Sequence, residues 1–305
     1  MRSVRGGLPR RLGGIEPSRL PTARRFELAL PLREGEAGTG PTALTLTAPR
    51  GLWLPRKLER EGLAGFEPET LACFLAALEH AGPGAVLDVG ANVGVYSLLA
   101  AARGTRPVRA FEPTPDIAAT ARELAAANGL PVEVVERALG DRAGKASFTL
   151  SSTSDASNSL APGFRPEAGR IEVRVDTLSR WCERTGTVPA VVKIDTETTE
   201  PEVVAGGREA LREFRPWILC EVLPGRGVEE RLMELLRPLD YSWHQLGDEV
   251  PPPARAVIDG RLSAGDQRMW LFAPEPPADA LWAATRAWRR ALDACRPTET
   301  SADLA

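Results

Sequence analysis

The chain has 305 residues, 38 lysines plus arginines against 41 aspartates plus glutamates, and a formal net charge of −3. That balance gives no general surface for nucleic acid, and no run approaches the ~18 apolar residues that span a bilayer. Cys73, Cys182, Cys220 and Cys295 are scattered with no C-x-x-C pair, so they read as reduced thiols of a cytoplasmic bacterial protein rather than zinc ligands.

The 35 arginines against 3 lysines reflect high-GC codon usage, not a basic binding face. Residues 1–23 set Arg2, Arg5, Arg10 and Arg11 among glycine and proline with no apolar centre, which excludes a secretory signal peptide and predicts a basic flexible arm. In residues 24–65, Phe26, Leu28 and Leu30 alternate with strand period. With Ala43 to Thr47 they predict a hairpin packed on the main domain, followed by a linker. From Phe66 a helix over Pro68 to His80 leads into a region, residues 66–274, where strands and helices alternate. That pattern argues a mostly parallel sheet.

The first strand of that region, Val86 to Val89, carries Asp88 and runs into Gly90-Ala91-Asn92-Val93-Gly94. A glycine turn admits a ligand close to the backbone, and the carboxyl end of a first strand is where a nucleotide-like ligand binds. A dinucleotide site would read G-x-G-x-x-G. Here those further glycines are missing, and Asp88 would repel a pyrophosphate but suit a cationic amino-acid moiety. A helix follows over Val95 to Ala102. The second strand, Val108 to Phe111, ends in Glu112, 24 residues after Asp88. An acid there accepts hydrogen bonds from ribose hydroxyls. Its alternative role is to cap the helix Asp116 to Asn128, which Pro113 and Pro115 disfavour, leaving Asp116 or Thr114 as the better cap.

The third strand begins at Val132, and its turn closes at Gly140-Asp141. Two strand-like segments, Ala146 to Leu150 and Ile171 to Val175, then break the alternation. The polar loop joining them reads as a flexible surface loop or a lid, in which case Asn158 and Ser159 touch substrate or cofactor. A fourth strand, Ala190 to Ile194, ends in Asp195-Thr196-Glu197, with Pro201 suited to the first turn of the next helix and Glu200 or Thr199 as its cap. A fifth, Pro216 to Val222, places Glu221 near its end. Tyr241 to Leu246 and Arg268 to Phe272 read as two closing strands around a proline-rich stretch at the pocket rim. In residues 275–305, a helix over Ala278 to Cys295 lines up Leu281, Trp288, Leu292 and Cys295, for packing on the parent domain or a homodimer contact, with a disordered tail from residue 296.

Asp-Val-Gly-Ala-Asn-Val-Gly at residues 88–94, Ala-Phe-Glu-Pro at 110–113, Lys-Ile-Asp-x-Glu-x-x-Glu at 193–200 and Glu221, in that order, resemble the FkbM family of methyltransferases over about Phe66 to Pro274. The resemblance implies an α/β, Rossmann-like class I methyltransferase fold. Its sheet is seven-stranded and mostly parallel, with helices on both faces and a hairpin-like insertion between strands three and four. It implies S-adenosylmethionine as cofactor and O-methylation of a hydroxyl on a sugar or natural product. Asp88, Gly90, Asn92 and Gly94 match the cofactor loop, Glu112 the ribose carboxylate, and Asp195, Glu197 and Glu200 the acidic motif. In that layout Ala138 and Leu139 bracket the adenine. Thr198-Thr199 departs from the small Gly-Ala usual in the family, which puts the loop's conformation in question.

Methyl transfer to an alcohol needs a base or a metal. Asp195 and His244 are the candidate catalytic groups, while His80 lies on the wrong side of the sheet. Glu197 is a candidate substrate contact. Asp195, Glu197 and Glu221 form a candidate Mg²⁺ set. Without a cation these carboxylates need a partner or a raised pKa, and Lys193 alternates to the same face as Asp195. The expected partner is a hydroxylated small molecule, with no nucleic acid and no membrane. Two other classes stay open, an NAD(P)-dependent oxidoreductase and a catalytically silent scaffold.

Overall fold

The computed structural model of the chain describes residues 24–33, 40–49, 51–259 and 268–297. The sequence expectations for residues 1–23 and for the tail beyond residue 297 lie outside these described residues.

Strands β1 (Arg24–Ala29) and β2 (Ala43–Ala48) form the antiparallel hairpin that their alternation predicts. Their inward residues Leu28, Leu44 and Leu46 are buried. Asn128 fixes the hairpin to the main domain by accepting from the Thr45 N–H and donating to the Thr45 carbonyl. The expected linker contains a helix, α1 (Trp53–Glu61). Its three buried side chains, Leu54, Pro55 and Leu58, recur at helical spacing, a signal too short to outweigh the proline at its start.

Helix α2 (Pro68–His80) starts on the proline and ends where the sequence predicts. Residues Thr70 through Leu78 are all buried, because α2 lies between the sheet and the C-terminal helix α9 (Asp279–Asp293). A helix apolar all round is one covered on both sides. Leu281, Trp288, Leu292 and Cys295 are buried, and each large apolar side chain so covered contributes about 1.5–3 kcal/mol. The Trp288 indole N–H and the Arg289 guanidinium reach Glu79 and Glu69 of α2. The apolar face of α9 is thus spent within the chain.

The central sheet holds β3 (Ala85–Val89), β4 (Val108–Phe111), β5 (Val132–Val135), β9 (Pro189–Ile194), β10 (Trp217–Glu221), β11 (Ser242–Gln245) and β12 (Met269–Ala273). Their spatial order is β11-β12-β10-β9-β3-β4-β5. All neighbours are parallel except β12, which runs antiparallel to β10 and β11. Helices cover both faces. The hairpin, α2, α3 (Val95–Arg103), α4 (Pro115–Ala127) and α9 enclose one core. α5 (Leu178–Thr185), α6 (Glu200–Gly206), α7 (Arg208–Phe214) and α8 (Val228–Leu236) enclose the other. This is the seven-stranded α/β architecture expected from the resemblance.

Ala138 and Leu139, expected to continue the third strand, instead form a separate strand β6 in a three-stranded sheet with β7 (Gly144–Ser151) and β8 (Glu167–Asp176). The pairing of β7 with β8 is antiparallel, as the inserted hairpin requires.

Candidate active site

The carboxyl ends of β3, β4, β9 and β10 converge on a cavity of about 700 Å³. Gly90 holds its floor together. It adopts φ +76°, and a Cβ there would lie 1.8 Å from the Asp195 carbonyl oxygen. Only glycine lets the turn after β3 and the turn after β9 touch. The Gly90 and Ala91 N–H groups donate to the Phe111 carbonyl, and the Asp195 N–H donates to the Val89 carbonyl.

Gly90, Asn92, Glu112, Ala138 and Leu139 all line this cavity. Glu112 is 6% exposed and accepts from the Asn92 N–H at 3.1 Å and the Thr114 N–H at 2.8 Å. Those bonds use two of about four lone-pair sites, leaving acceptors for ribose hydroxyls. Burial pushes its pKa up, against those donors. Glu112 therefore fixes the start of α4 as well as facing the cavity, while the Thr114 side chain makes no cap bond.

Two expected cofactor contacts are corrected. Asp88 is fully buried and does not line the cavity. Its Oδ2 accepts from both the N–H and the hydroxyl of Ser97, at 3.1 and 2.8 Å, and its Oδ1 lies 3.8 Å from the Lys193 ammonium. Asp88 ties α3 to β3. Gly94, at φ +86°, starts α3 and also stays out of the cavity.

On the other side of Gly90 stand Asp195, Glu197 and Glu221. Among the described residues these three can bring one carboxylate oxygen each within 4.8 Å of one another. Lys193, 4% exposed, donates to Asp195 Oδ2 at 3.0 Å, the pairing that strand alternation predicts. Burial alone would lower the Lys193 pKa, but Asp195, Asp88 and Glu67 reverse it and hold the ammonium charged. Burial, then Asp195, raises Glu197 to about 8. The same two causes, with Glu197 and Glu200 behind them, hold Glu221 well above its ordinary range.

Glu200 belongs to the frame rather than the cavity. It is 0% exposed. Its Oε1 accepts from the Thr196 N–H and hydroxyl and from the Thr198 N–H, and its Oε2 has no partner. Burial raises its pKa to about 7. The loop it holds is strained, with Glu197 at φ +57° and Thr198 at φ +83°. A β-branched residue at that φ is an outlier, so the Thr198-Thr199 departure is accommodated with backbone strain.

The inserted sheet roofs the cavity. Ser154 to Asn158 and Leu160 line it. Asn158 lies on the wall with its Oδ1 taken by the Ser151 N–H. Ser159 is corrected: it is 1% exposed, and its hydroxyl donates to the Glu197 carbonyl at 2.6 Å, so it braces the acidic loop. Asp155 accepts from the Trp53 N–H at 2.8 Å, joining the roof to α1.

His244 is also corrected as a catalytic candidate. It is buried outside the cavity, with its ring nitrogens on the Pro252 carbonyl and the Ser242 hydroxyl and its face against Trp282. Burial lowers its pKa. At the β11 and β12 end, the cavity is lined by Leu246, Arg268 and Met269; of the stretch expected to contribute to the rim, residues 247–259 do not line the cavity and residues 260–265 lie outside the described residues. Sequence reasoning missed Glu67, Tyr96 and Lys57, which all line the cavity. Glu67 sits just before Pro68 and reads as a helix start, and Tyr96 reads as one more core aromatic.

The Methyltransferase FkbM domain model matches residues 88–245. Among curated proteins, the ribosomal protein L11 methyltransferase of Geobacter metallireducens is 36% identical over 109 residues, 32% of this chain and 36% of that protein. The chain thus spans about a third of that relative's length. Methyltransferase FkbM from Methylobacillus flagellatus KT shares 16% identity at a TM-score of 0.41, covering 62% of this chain and 43% of that one. A SAM-dependent methyltransferase from Agrobacterium tumefaciens shares 14% at 0.40, covering 81% and 71%. At these scores, the fold assignment rests on the strand order and the family match.

Proposed function

This chain belongs to the FkbM methyltransferase family, and on that premise we propose that it is an S-adenosylmethionine-dependent O-methyltransferase acting on a hydroxyl of a sugar or other natural product. The observation that carries this reading is the meeting of two half-sites in one cavity. Glu112, Asn92 and Leu139 suit an adenosine on one side of Gly90, and Asp195, Glu197 and Glu221 gather on the other.

The cofactor supplies an activated methyl carbon. The protein has to align an acceptor with it, exclude water and take a proton. Asp195, held in place by Lys193, is suited to accept a hydrogen bond from the acceptor hydroxyl. Glu197, beside it on the same loop, would take the proton in its ionised form, which its pKa of about 8 makes more populated as pH rises toward that value. Trp53, 40% exposed at the cavity, offers an aromatic face to a sugar ring. Four free, buried thiols support a cytoplasmic setting.

The test is calorimetric titration of adenosylhomocysteine into wild type and Glu112→Ala, followed by transfer of labelled methyl from S-adenosylmethionine to a panel of hydroxylated sugars and polyketides. Micromolar binding lost in Glu112→Ala, with label appearing on an acceptor oxygen, is the expected result. Label on nitrogen or carbon would refute the O-methylation reading. Absence of binding would hand the lead to the scaffold alternative, and a nicotinamide cofactor bound instead to the oxidoreductase one.

One observation favours a second reading of the acidic trio. Glu221 Oε2 is buried without a partner, beside Asp195 and Glu197. Three carboxylates with room for water are a donor set that suits Mg²⁺. There the ion would polarise the acceptor oxygen, and Asp195 would ligate rather than orient. Transfer abolished by EDTA and restored by Mg²⁺ supports this reading, and transfer indifferent to EDTA removes it.

A further inference from the structure

Glu67 is held in a conformation its chemistry does not favour. It lies at the N-cap of α2 with φ 45° and ψ 47°, the left-handed region, where a cap residue ordinarily has extended backbone. Its side chain makes no cap hydrogen bond. Instead it crosses to α3, where the Tyr96 hydroxyl donates to Oε2 at 2.6 Å. Strain of this kind persists where surrounding structure over-determines it, and it concentrates at ligand clamps.

The residues around it explain what is clamped. Glu67, Tyr96, Lys193 and Asp195 form one stretch of cavity wall. The Lys193 ammonium sits 5.0 Å from the Tyr96 ring centroid, 3.0 Å from Asp195 and 3.5 Å from the Gly90 carbonyl. Behind it Asp88 lies at 3.8 Å. Asp195 and, behind the wall, Asp88 are thus paired with this one ammonium, and Glu67 adds a further carboxyl group to the cavity wall beside it. Tyr96 engages one Glu67 oxygen and leaves the other for a ligand.

We propose that Glu67 binds the α-ammonium of the cofactor's amino-acid end, so that a residue preceding the family-matched segment completes the cofactor site. The inference rests on S-adenosylmethionine being the cofactor. Glu112, Leu139, Gly90 and this wall line the same cavity, so a cofactor whose adenosine is held by Glu112 and Leu139 would have its amino-acid end within the cavity that Glu67 faces. A zwitterionic tail would find there the Glu67 carboxylate for its ammonium. Asp88, buried behind Lys193, cannot make that contact, and so the acid that the glycine motif suggests for the role is replaced by the one at the N-cap of α2.

The test compares two probes differing only at that end, adenosylhomocysteine and 5′-methylthioadenosine. Each is titrated into wild type, Glu67→Gln, Tyr96→Phe and Glu112→Ala, with a thermal melt for each protein. Glu67→Gln is expected to weaken adenosylhomocysteine by about tenfold or more, as loss of a charge-assisted hydrogen bond does, with methylthioadenosine unchanged. Tyr96→Phe, which unties the carboxylate, moves the same way by less. Glu112→Ala weakens both probes. Equal loss of both probes in Glu67→Gln, or undiminished adenosylhomocysteine binding, overturns the proposal. If the melt shows Glu67→Gln unfolded, Tyr96→Phe decides by the same comparison. Wild type binding neither probe defeats the cofactor reading itself, and this inference with it.

Discussion

Asp88 and Lys193 stand directly opposite each other on the adjacent parallel strands β3 and β9, with their charged atoms 3.8 Å apart and neither side chain more than 4% exposed. This pair links two motifs more than a hundred positions apart and sets what each of them can do. Because Lys193 also donates to Asp195 at 3.0 Å, one buried cation organises a frame carboxylate and a cavity carboxylate together.

Lys193→Met should therefore cost far more than a surface charge. Removing one partner of a buried ionic group leaves the others uncompensated, at about 3–5 kcal/mol. Urea denaturation at pH 7 should show that loss, and a variant within 1 kcal/mol of wild type (about the scale of an exposed pair) would mean the ion group is dispensable.

Gly90→Ala should separate the turns after β3 and β9. The added Cβ would meet the Asp195 carbonyl at 1.8 Å, at a residue with φ +76°. The strain should cost at least about 2 kcal/mol, with adenosylhomocysteine binding lost. Retained affinity in a calorimetric titration would show that the two turns need not touch.

Glu200 gives the chain a signed pH dependence. Burial raises its pKa from 4.5 to about 7 in the folded state. Its stabilising proton is fully in place below about pH 4.5 and is lost as pH rises through 7. Glu200→Gln mimics the protonated form. It should therefore gain on wild type between pH 5 and 8, by up to about 3 kcal/mol. Denaturation midpoints across that range check it, and parallel pH curves for the two proteins would contradict it.

Thr198→Gly should stabilise. Thr198 combines φ +83° with a buried hydroxyl that lacks a partner. Relief of both should outweigh the lost methyl contacts and added chain entropy, for a net gain of about 1 kcal/mol. A lowered melting temperature would mean that the threonine packs better than its backbone suggests.

What the sequence determined by itself were the elements and the ends of the strands. Proline at the first turn of α2, alternation in β1 and apolar runs closed by acids are local signals, and the chain obeys them because backbone geometry and strand period act over a few residues. The same locality delivered Gly90, Glu112, Asp195, Glu197 and Glu221 to one sheet edge, and it paired Lys193 with Asp195 two residues on. Tertiary structure alone decided which acids face the cavity. Asp88 is turned inward by Ser97 and Lys193, Glu200 is consumed by the backbone of its own loop, and His244 is enclosed by Pro252 and Trp282. Glu67, with no motif around it, is brought to the site by Tyr96 from a different helix. A carboxylate's role depends on which donors reach it first, and those donors come from strands and helices that only folding makes neighbours.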